Sequence, residues 1–407
     1  VLVAETVPGD TEQLPGCLLR QPVHVLFPGA LEFSSGFGEK AWRGALLASN
    51  EHLIPRSLTL GFQTARGAVD AAAYLQALLD GLRVQSALVA DDREVVALVL
   101  QLGLAECLAP TQIAQLLEAV PTHFRTVARP QVEVRVDAGS GCDPLQLRAV
   151  GCTRLTVIDR PGADGPGLLA RGQTAAFTAC YYQLRMPARD DAQYLHRLQQ
   201  AIALGPARIL LPAPCAMPAD PCAATWYQAW QHLVAAGYVP IGGDHYQHPE
   251  RAPPTTLRDT YRYCDVVGVP RRERTDFIGI GAGACSQVGE VLCRLDEDPA
   301  RWQARMDAGH AGVVAGLILS DQEALANDAV QRIACDHALD AADFEWSHGC
   351  TLDDAFEDAR AQLGPCLAQG WAYWDGPVLR LRAEGMLLWR IIAACFRPAA
   401  MRAPIQE

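Results

Sequence analysis

Apolar and polar positions along the chain follow two alternating periods. Glu39–Asn50 and Val69–Val89 carry apolar residues at helical spacing. Val95–Leu102 is a near-continuous apolar run, the pattern of a strand covered on both faces. The same reading predicts helix over Thr111–Val120, strand over Val132–Val136, helix over Pro144–Val150, and strands over Arg154–Ile158 and Ala179–Leu184. Asp190–Leu204 predicts a helix, with Tyr194, Leu195, Leu198 and Ile202 on one face. A strand over Arg208–Leu211, a helix over Cys222–Ala236 and a strand over Tyr238–Ile241 follow. Repeated strand–helix units of this length imply a parallel sheet covered by helices.

The pattern changes near Gly242. His245–Thr256, with Pro249, Pro253 and Pro254, reads as a long loop. After Pro299 the segments are mainly helical: Trp302–Ala308, Asp321–Cys335 and Leu352–Leu367. Gly370 ends that run, and Asp375-Gly376 inside Trp371–Leu381 is a two-residue hairpin signal. A last helix is expected over Glu384–Phe396. Helices plus a hairpin predict a small winged-helix-like unit, with Trp371, Trp374 and Trp389 as its core.

Composition narrows the function classes. Half of the 407 residues are apolar and a fifth are charged, as in ordinary globular chains. The net charge of −12 argues against a nucleic-acid partner, and the densest basic run, Arg271, Arg272 and Arg274, is interrupted by Glu273. No apolar run reaches the roughly 18–20 residues of a membrane span. Val1–Asp10 shows no secretory pattern, so a cytoplasmic location is expected. The 14 cysteines are scattered and form no C-x2-C pair. Cys180 and Cys395, for example, sit in apolar runs, which reads as buried reduced thiols; a metal cluster built from distant cysteines is the alternative.

Three groups carry candidate chemistry. Gly279, Gly281 and Gly283 end an apolar strand; they suggest either a dinucleotide turn or a tight strand exit, and no ribose-binding acid follows. Asp244, His245 and His248 form a D-H-x-x-H cluster that could hold zinc, iron or a haem iron, or anchor a loop. Arg258, Arg262, Arg272 and Arg274 could bind carboxylates, or pair with neighbours such as Glu273 and Asp276.

Several stretches in order carry a family resemblance. Ala236-Gly237-Tyr238-Val239-Pro240-Ile241-Gly242-Gly243-Asp244-His245-Tyr246 is similar to A-G-Y-x-x-I-G-x-D-H-F, and Asp276-Phe277-Ile278-Gly279-Ile280-Gly281-Ala282-Gly283-Ala284-Cys285-Ser286 to D-L-[IL]-G-[IL]-G-x-[SG]-A-x-S. Phe27–Ser34, Val330–Cys335 and Gly385–Arg390 resemble further segments of the same family. From about Pro22 onward the chain resembles the oxygen-independent coproporphyrinogen III oxidases, radical-SAM enzymes of haem biosynthesis. The resemblance implies an α/β fold: a radical-SAM-like partial (β/α) barrel followed by a mainly helical, winged-helix-like C-terminal domain. It divides the chain into an entry segment over 1–50, a degenerate barrel over 51–297 and a C-terminal unit over 298–407.

The catalytic half of the pattern is altered. The family's C-x3-C-x2-C motif, which holds a [4Fe–4S] cluster, occurs nowhere in the chain. Its position falls after Ser57–Thr64, where the chain runs on toward the helix from Val69. The G-G-G-T-P turn at the SAM site falls on Gln101–Glu106, with Gly103 as its one glycine. Arg135 stands at an acid of the SAM site, Tyr181 at an aspartate, and Arg160 near a glutamine. These departures imply loss of both the cluster and SAM binding. Two readings follow. One is a non-catalytic relative that binds a tetrapyrrole, haem or another flat anion, or assists an active paralogue. Its expected contacts are Asp244, His245, His248, Arg258, Arg262 and Arg272. The other is an active coproporphyrinogen oxidase-type enzyme with non-standard cluster ligands, or a new activity in the old cavity.

Overall fold

A computed structural model describes residues 33–64, 70–185, 193–213, 220–251, 262–264, 270–272 and 275–397. One sheet of twelve strands dominates it. Its strands are β1 (Ser57–Phe62), β2 (Val95–Leu100), β3 (Thr126–Asp137), β4 (Arg154–Asp159), β5 (Ala179–Leu184), β6 (Arg208–Leu210), β7 (Val239–Gly242), β8 (His245–Gln247), β11 (Thr275–Ile280), β12 (Cys285–Val288), β13 (Val291–Leu295) and β14 (Val313–Ile318). A separate pair, β9 (Arg262–Cys264) and β10 (Pro270–Arg272), lies between β8 and β11 in the chain. The spatial order is β14-β13-β12-β11-β1-β2-β3-β4-β5-β6-β8-β7. β11 and β1 to β6 run parallel. Antiparallel strands finish both edges.

The crossover helices cover one face. Asp70, Asp143 and Asp164 cap the helices Ala71–Ser86, Pro144–Ala149 and Gly165–Thr174 through side-chain bonds to backbone N–H groups. The main core lies between these helices and the sheet, around Leu60, Phe62, Leu98, Leu100, Val134, Val157 and Tyr182. A second core gathers Ile333, Phe344, Leu363, Leu379 and Trp389 in the C-terminal helices. A small sheet β15-β17-β16 packs with them, from β15 (Ala338–Asp340), β16 (Ala372–Asp375) and β17 (Val378–Leu381). Gly376, in the tight turn between β16 and β17, has φ 59°, as the Asp-Gly signal predicts. No helix among the described residues is long and apolar enough to cross a membrane.

Several expectations change. His245 is not in a loop but begins β8, where it pairs with β6 and β7. The span Leu352–Leu367 is two helices, Leu352–Ala355 and Ala359–Ala368, separated by Phe356–Asp358. Glu384–Phe396 also divides, into Ala383–Leu387 and Trp389–Ala394. Gly165–Thr174 is a helix that its Gly-Pro-Gly start hides, since Pro at the second position is compatible with a first turn. β14 escapes the pattern because Gly316 interrupts its apolar run; the Phe37 ring lies where a side chain at Gly316 would sit. Helix Pro299–Asp307 and β14 therefore belong to the main sheet and its core, through Trp302, Met306 and Val313. Residues 1–32, with most of the expected entry segment, lie outside the described residues.

Candidate functional site

Strand alternation sorts the sheet into two faces. Leu155, Val157, Cys180 and Tyr182 join the helix-covered core, so Thr156 and Tyr181 point the other way. Register places Arg135, Thr156, Tyr181, Arg208 and Gln247 side by side across five strands of this inner face. The neighbouring row, toward the C-terminal ends of the parallel strands, runs Asp137, Ile158, Gln183, Leu210, His245. The inner face is thus polar where the outer face is apolar, and Thr156, Tyr181, Arg208, Gln247 and His245 are all buried. Glu133 accepts from Arg135 Nε (3.2 Å) and Thr156 Oγ1 (2.9 Å), which neutralises that arginine. The Arg208 guanidinium lies 4.8 Å from the Tyr181 ring centroid and that of Arg154 lies 6.0 Å away. The Tyr181 hydroxyl is buried with no hydrogen-bond partner among the described residues.

The exit of β1 is closed by protein. Gln63 N–H donates to the Ile280 carbonyl (2.8 Å), and Gln101 N–H to the Phe62 carbonyl (2.9 Å). Tyr74 hydroxyl donates to the Gln63 carbonyl (2.9 Å) and accepts from Ala282 N–H (3.0 Å). Gly281, at φ 123°, passes so close that a side chain there would collide with the Gln63 carbonyl oxygen. Gly103, at φ 94°, faces Thr64, whose methyl carbon would stand 2.5 Å from an added Cβ. Beyond β2 and β3, Glu106 accepts from Asp137 N–H (3.1 Å), and Arg160 Nε donates to both Asp137 oxygens (2.8 and 3.0 Å). Cys107 and Cys142 lie at this end; burial pushes both thiols up, disfavouring the thiolate.

The D-H-x-x-H residues do not converge. Asp244 receives two parallel bonds from Arg390 (2.9 and 2.8 Å) and one from Ala213 N–H (3.1 Å). His245 faces inward beside Leu210, whereas His248 meets the edge of Tyr238, an outer-face core ring, at 5.3 Å. The two imidazoles therefore do not share one iron, and among the described residues no three His, Cys, Asp or Glu side chains group as a metal site. Arg262 and Arg272 pair in register across β9 and β10, but their side chains, and all of Arg258 and Arg274, lie outside the described residues. The glycine turn is a packing device: Gly279 and Gly281 each admit another strand's backbone where a Cβ would stand.

Relatives and solved structures place this geometry. The chain is 23% identical over 421 residues to the oxygen-independent coproporphyrinogen III oxidase of Escherichia coli K12, covering 92% of each chain. The enzyme of the same name from Pseudomonas aeruginosa PAO1 is 22% identical over 446 residues, covering 96% of each. Along nearly its whole length the chain is similar to the oxygen-independent coproporphyrinogen III oxidases. It shares its fold with the solved coproporphyrinogen III oxidase (HemN) of Escherichia coli, described as a radical SAM enzyme. The TM-score is 0.79 at 22% identity, over 92% of this chain and 96% of that one. No family model matches the chain.

The segment between β1 and the helix Ala71–Ser86 supplies no thiolate for a three-thiolate cluster. Residues 63–70, between β1 and the helix Ala71–Ser86, contain no cysteine, and the remaining turn glycine, Gly103, is covered by Thr64. No local pattern in the chain marks Thr64, Tyr74, Arg154 or Arg208. Arg154 and Arg208 each open a short apolar strand, and only register brings them to Tyr181.

Proposed function

We propose that this chain is a coproporphyrinogen oxidase relative that has given up radical-SAM chemistry and binds a tetrapyrrole or a similar flat polyacid on the inner face of its sheet. The observation that carries the reading is the closed β1 exit, where Tyr74, Thr64 and Gly281 occupy the approach to Gln63. The change of charge on the inner face supports it. Arg135 is matched by Glu133, and Tyr181 lies among arginines rather than acids. Such a face favours an anionic ligand over the cationic sulfonium of SAM. Anaerobic iron–sulfide reconstitution tests the first half, with no reducible cluster signal expected by EPR and no SAM heat by calorimetry. Titration with haemin and coproporphyrin, followed at the Soret band, tests the second. The expected result is a saturable shift.

A second reading, an active oxidase-type enzyme with unusual cluster ligands, draws on Cys107 and Cys142, which lie after neighbouring strands at one end of the sheet. Stoichiometric iron and sulfide in the reconstituted protein, lost in Cys107→Ala and Cys142→Ala, would favour it.

A further inference from the structure

We propose that Cys366 and Cys395 are a redox-active dithiol of the C-terminal core, which a hydroperoxide closes to a disulfide. Cys366 lies in the helix Ala359–Ala368, and Cys395 ends the helix Trp389–Ala394. Both are free cysteines of the second core, and they meet side chain to side chain, with Cys366 accepting a hydrogen bond from the Cys395 thiol. The Cys395 sulfur also lies 3.6 Å from the Ile391 carbonyl of its own helix, which fixes its position. Hydrogen-bonded thiols stand one approach from an S–S bond of about 2.05 Å. Nothing in this pairing depends on a ligand of the sheet.

The pair differs from other cysteines of the chain. At Cys107, Cys142, Cys152, Cys180, Cys285 and Cys293 burial pushes the thiol up, which disfavours the nucleophilic thiolate. At Cys366 the bond from Cys395 outweighs burial and holds the thiol below its ordinary value. A favoured thiolate with a second thiol against it is the arrangement of an attacking and a resolving cysteine. Cys366 is 3% and Cys395 6% exposed, so the pair suits a water-sized oxidant better than a bulky disulfide. Gly364 and Pro365 come immediately before Cys366 inside its helix. Proline removes a helix N–H and glycine weakens the turn, so this helix opens locally beside the thiol.

Hydrogen peroxide balances the chemistry. The Cys366 thiolate attacks one peroxide oxygen and the O–O bond breaks. The departing hydroxide takes up the thiol proton as water, and Cys366 becomes the sulfenic acid. The Cys395 sulfur then attacks the Cys366 sulfur, the S–O bond breaks, and the hydroxyl leaves with the Cys395 proton as a second water. The disulfide ties the helix Ala359–Ala368 to the helix that carries Arg390, whose bonds to Asp244 clasp the C-terminal unit to the sheet. Oxidation therefore tightens that clasp.

The test treats the purified chain with hydrogen peroxide under native conditions, alkylates the remaining thiols and maps the peptides. A peptide pair linked through Cys366 and Cys395, and released by dithiothreitol, is expected. Amide exchange in Ala359–Ala368 and Trp389–Ala394 should slow about tenfold or more in the oxidised chain, because the link closes a loop. In Cys395→Ser the link should vanish and Cys366 should run on to the sulfinic acid. The map of the parent needs no variant, so a folding defect in Cys395→Ser cannot stand in for the result. Both thiols alkylated after peroxide, Cys366 joined to a different cysteine, or sulfinic acid at Cys366 of the parent without a link would each overturn the dithiol. A link that leaves exchange unchanged would overturn the tightening of the clasp.

Discussion

The stretches of this chain that keep the family pattern differ sharply from those that depart from it. In the retained stretches several polar groups are committed to the fold. Asp276, 1% exposed, takes bonds from Ser49 Oγ (2.7 Å), Gly289 N–H (3.0 Å) and the Arg93 guanidinium, and so ties the helix Glu39–Asn50 and the β12–β13 turn to β11. Asp244 fastens Arg390 of the C-terminal core to the sheet, while Gly243 N–H reaches the Ala334 carbonyl (3.0 Å). In the altered stretches the Tyr181 hydroxyl and one oxygen of Asp159 have no partner among the described residues, and in the retained ones the same holds for the Trp389 indole N–H. Asp159 accepts on its other oxygen from Tyr182 (2.6 Å) and Arg197 (3.0 Å), yet burial still raises its pKa. Family motifs that survive here need no ligand to account for them, because the fold itself requires them.

The strongest way to break this comparison is at Asp276. Arg93→Ala should leave a buried carboxylate short of its main cation and cost about 3–5 kcal/mol in denaturant unfolding. A loss under about 1 kcal/mol would mean that the retained aspartate is not a fold requirement. Arg390→Ala should cost less, about 2–3 kcal/mol, because it removes charge-assisted bonds at one interface. Its mark is regional. Hydrogen exchange should speed up in Asp321–Asp336 and Trp389–Ala394 before β1 or β2 is affected, and uniform exchange would refute the clasp. Gly281→Ala should cost about 1–3 kcal/mol, since φ 123° and the Gln63 carbonyl both oppose a side chain. Unchanged thermal stability would show that the β1 exit is looser than described.

The smallest effect sharpens the contrast between the two aspartates. The folded pKa of Asp159 lies above its ordinary value of 3.8. Between 3.8 and that raised value the native state holds more proton than the unfolded chain, so this group's contribution to stability falls as pH rises through the window and is flat above it. Each unit of the shift corresponds to about 1.4 kcal/mol. Unfolding free energies measured from pH 4 to 7 should show that slope in the parent and lose it in Asp159→Asn. An opposite slope at this site would mean that Tyr182 and Arg197 outweigh burial.

Much of the fold was legible because its signals are local. The apolar runs of β1, β2 and β5, the facial spacing of Tyr194–Leu204 and the Asp-Gly turn each follow from a short window of sequence. The elements that escaped depend on partners far away in the chain. β14 is a strand because β13 and Ser34 pair with it, and β8 starts at His245 because β6 lies open beside it.

The candidate site divides the same way. Sequence alone showed that residues 63–70 hold no cysteine, and it singled out Arg135 and Tyr181 as departures expected from the resemblance. It also marked Asp244, His245 and His248 as one cluster, because they are neighbours along the chain. Tertiary structure separated them, sending Asp244 to Arg390, His245 to the inner face and His248 to Tyr238. It also joined Tyr181 to Arg154 and Arg208, which adjacency in sequence could not do. The reason is geometric. A strand turns successive side chains to opposite faces, and register sets residues from distant segments about 5 Å apart.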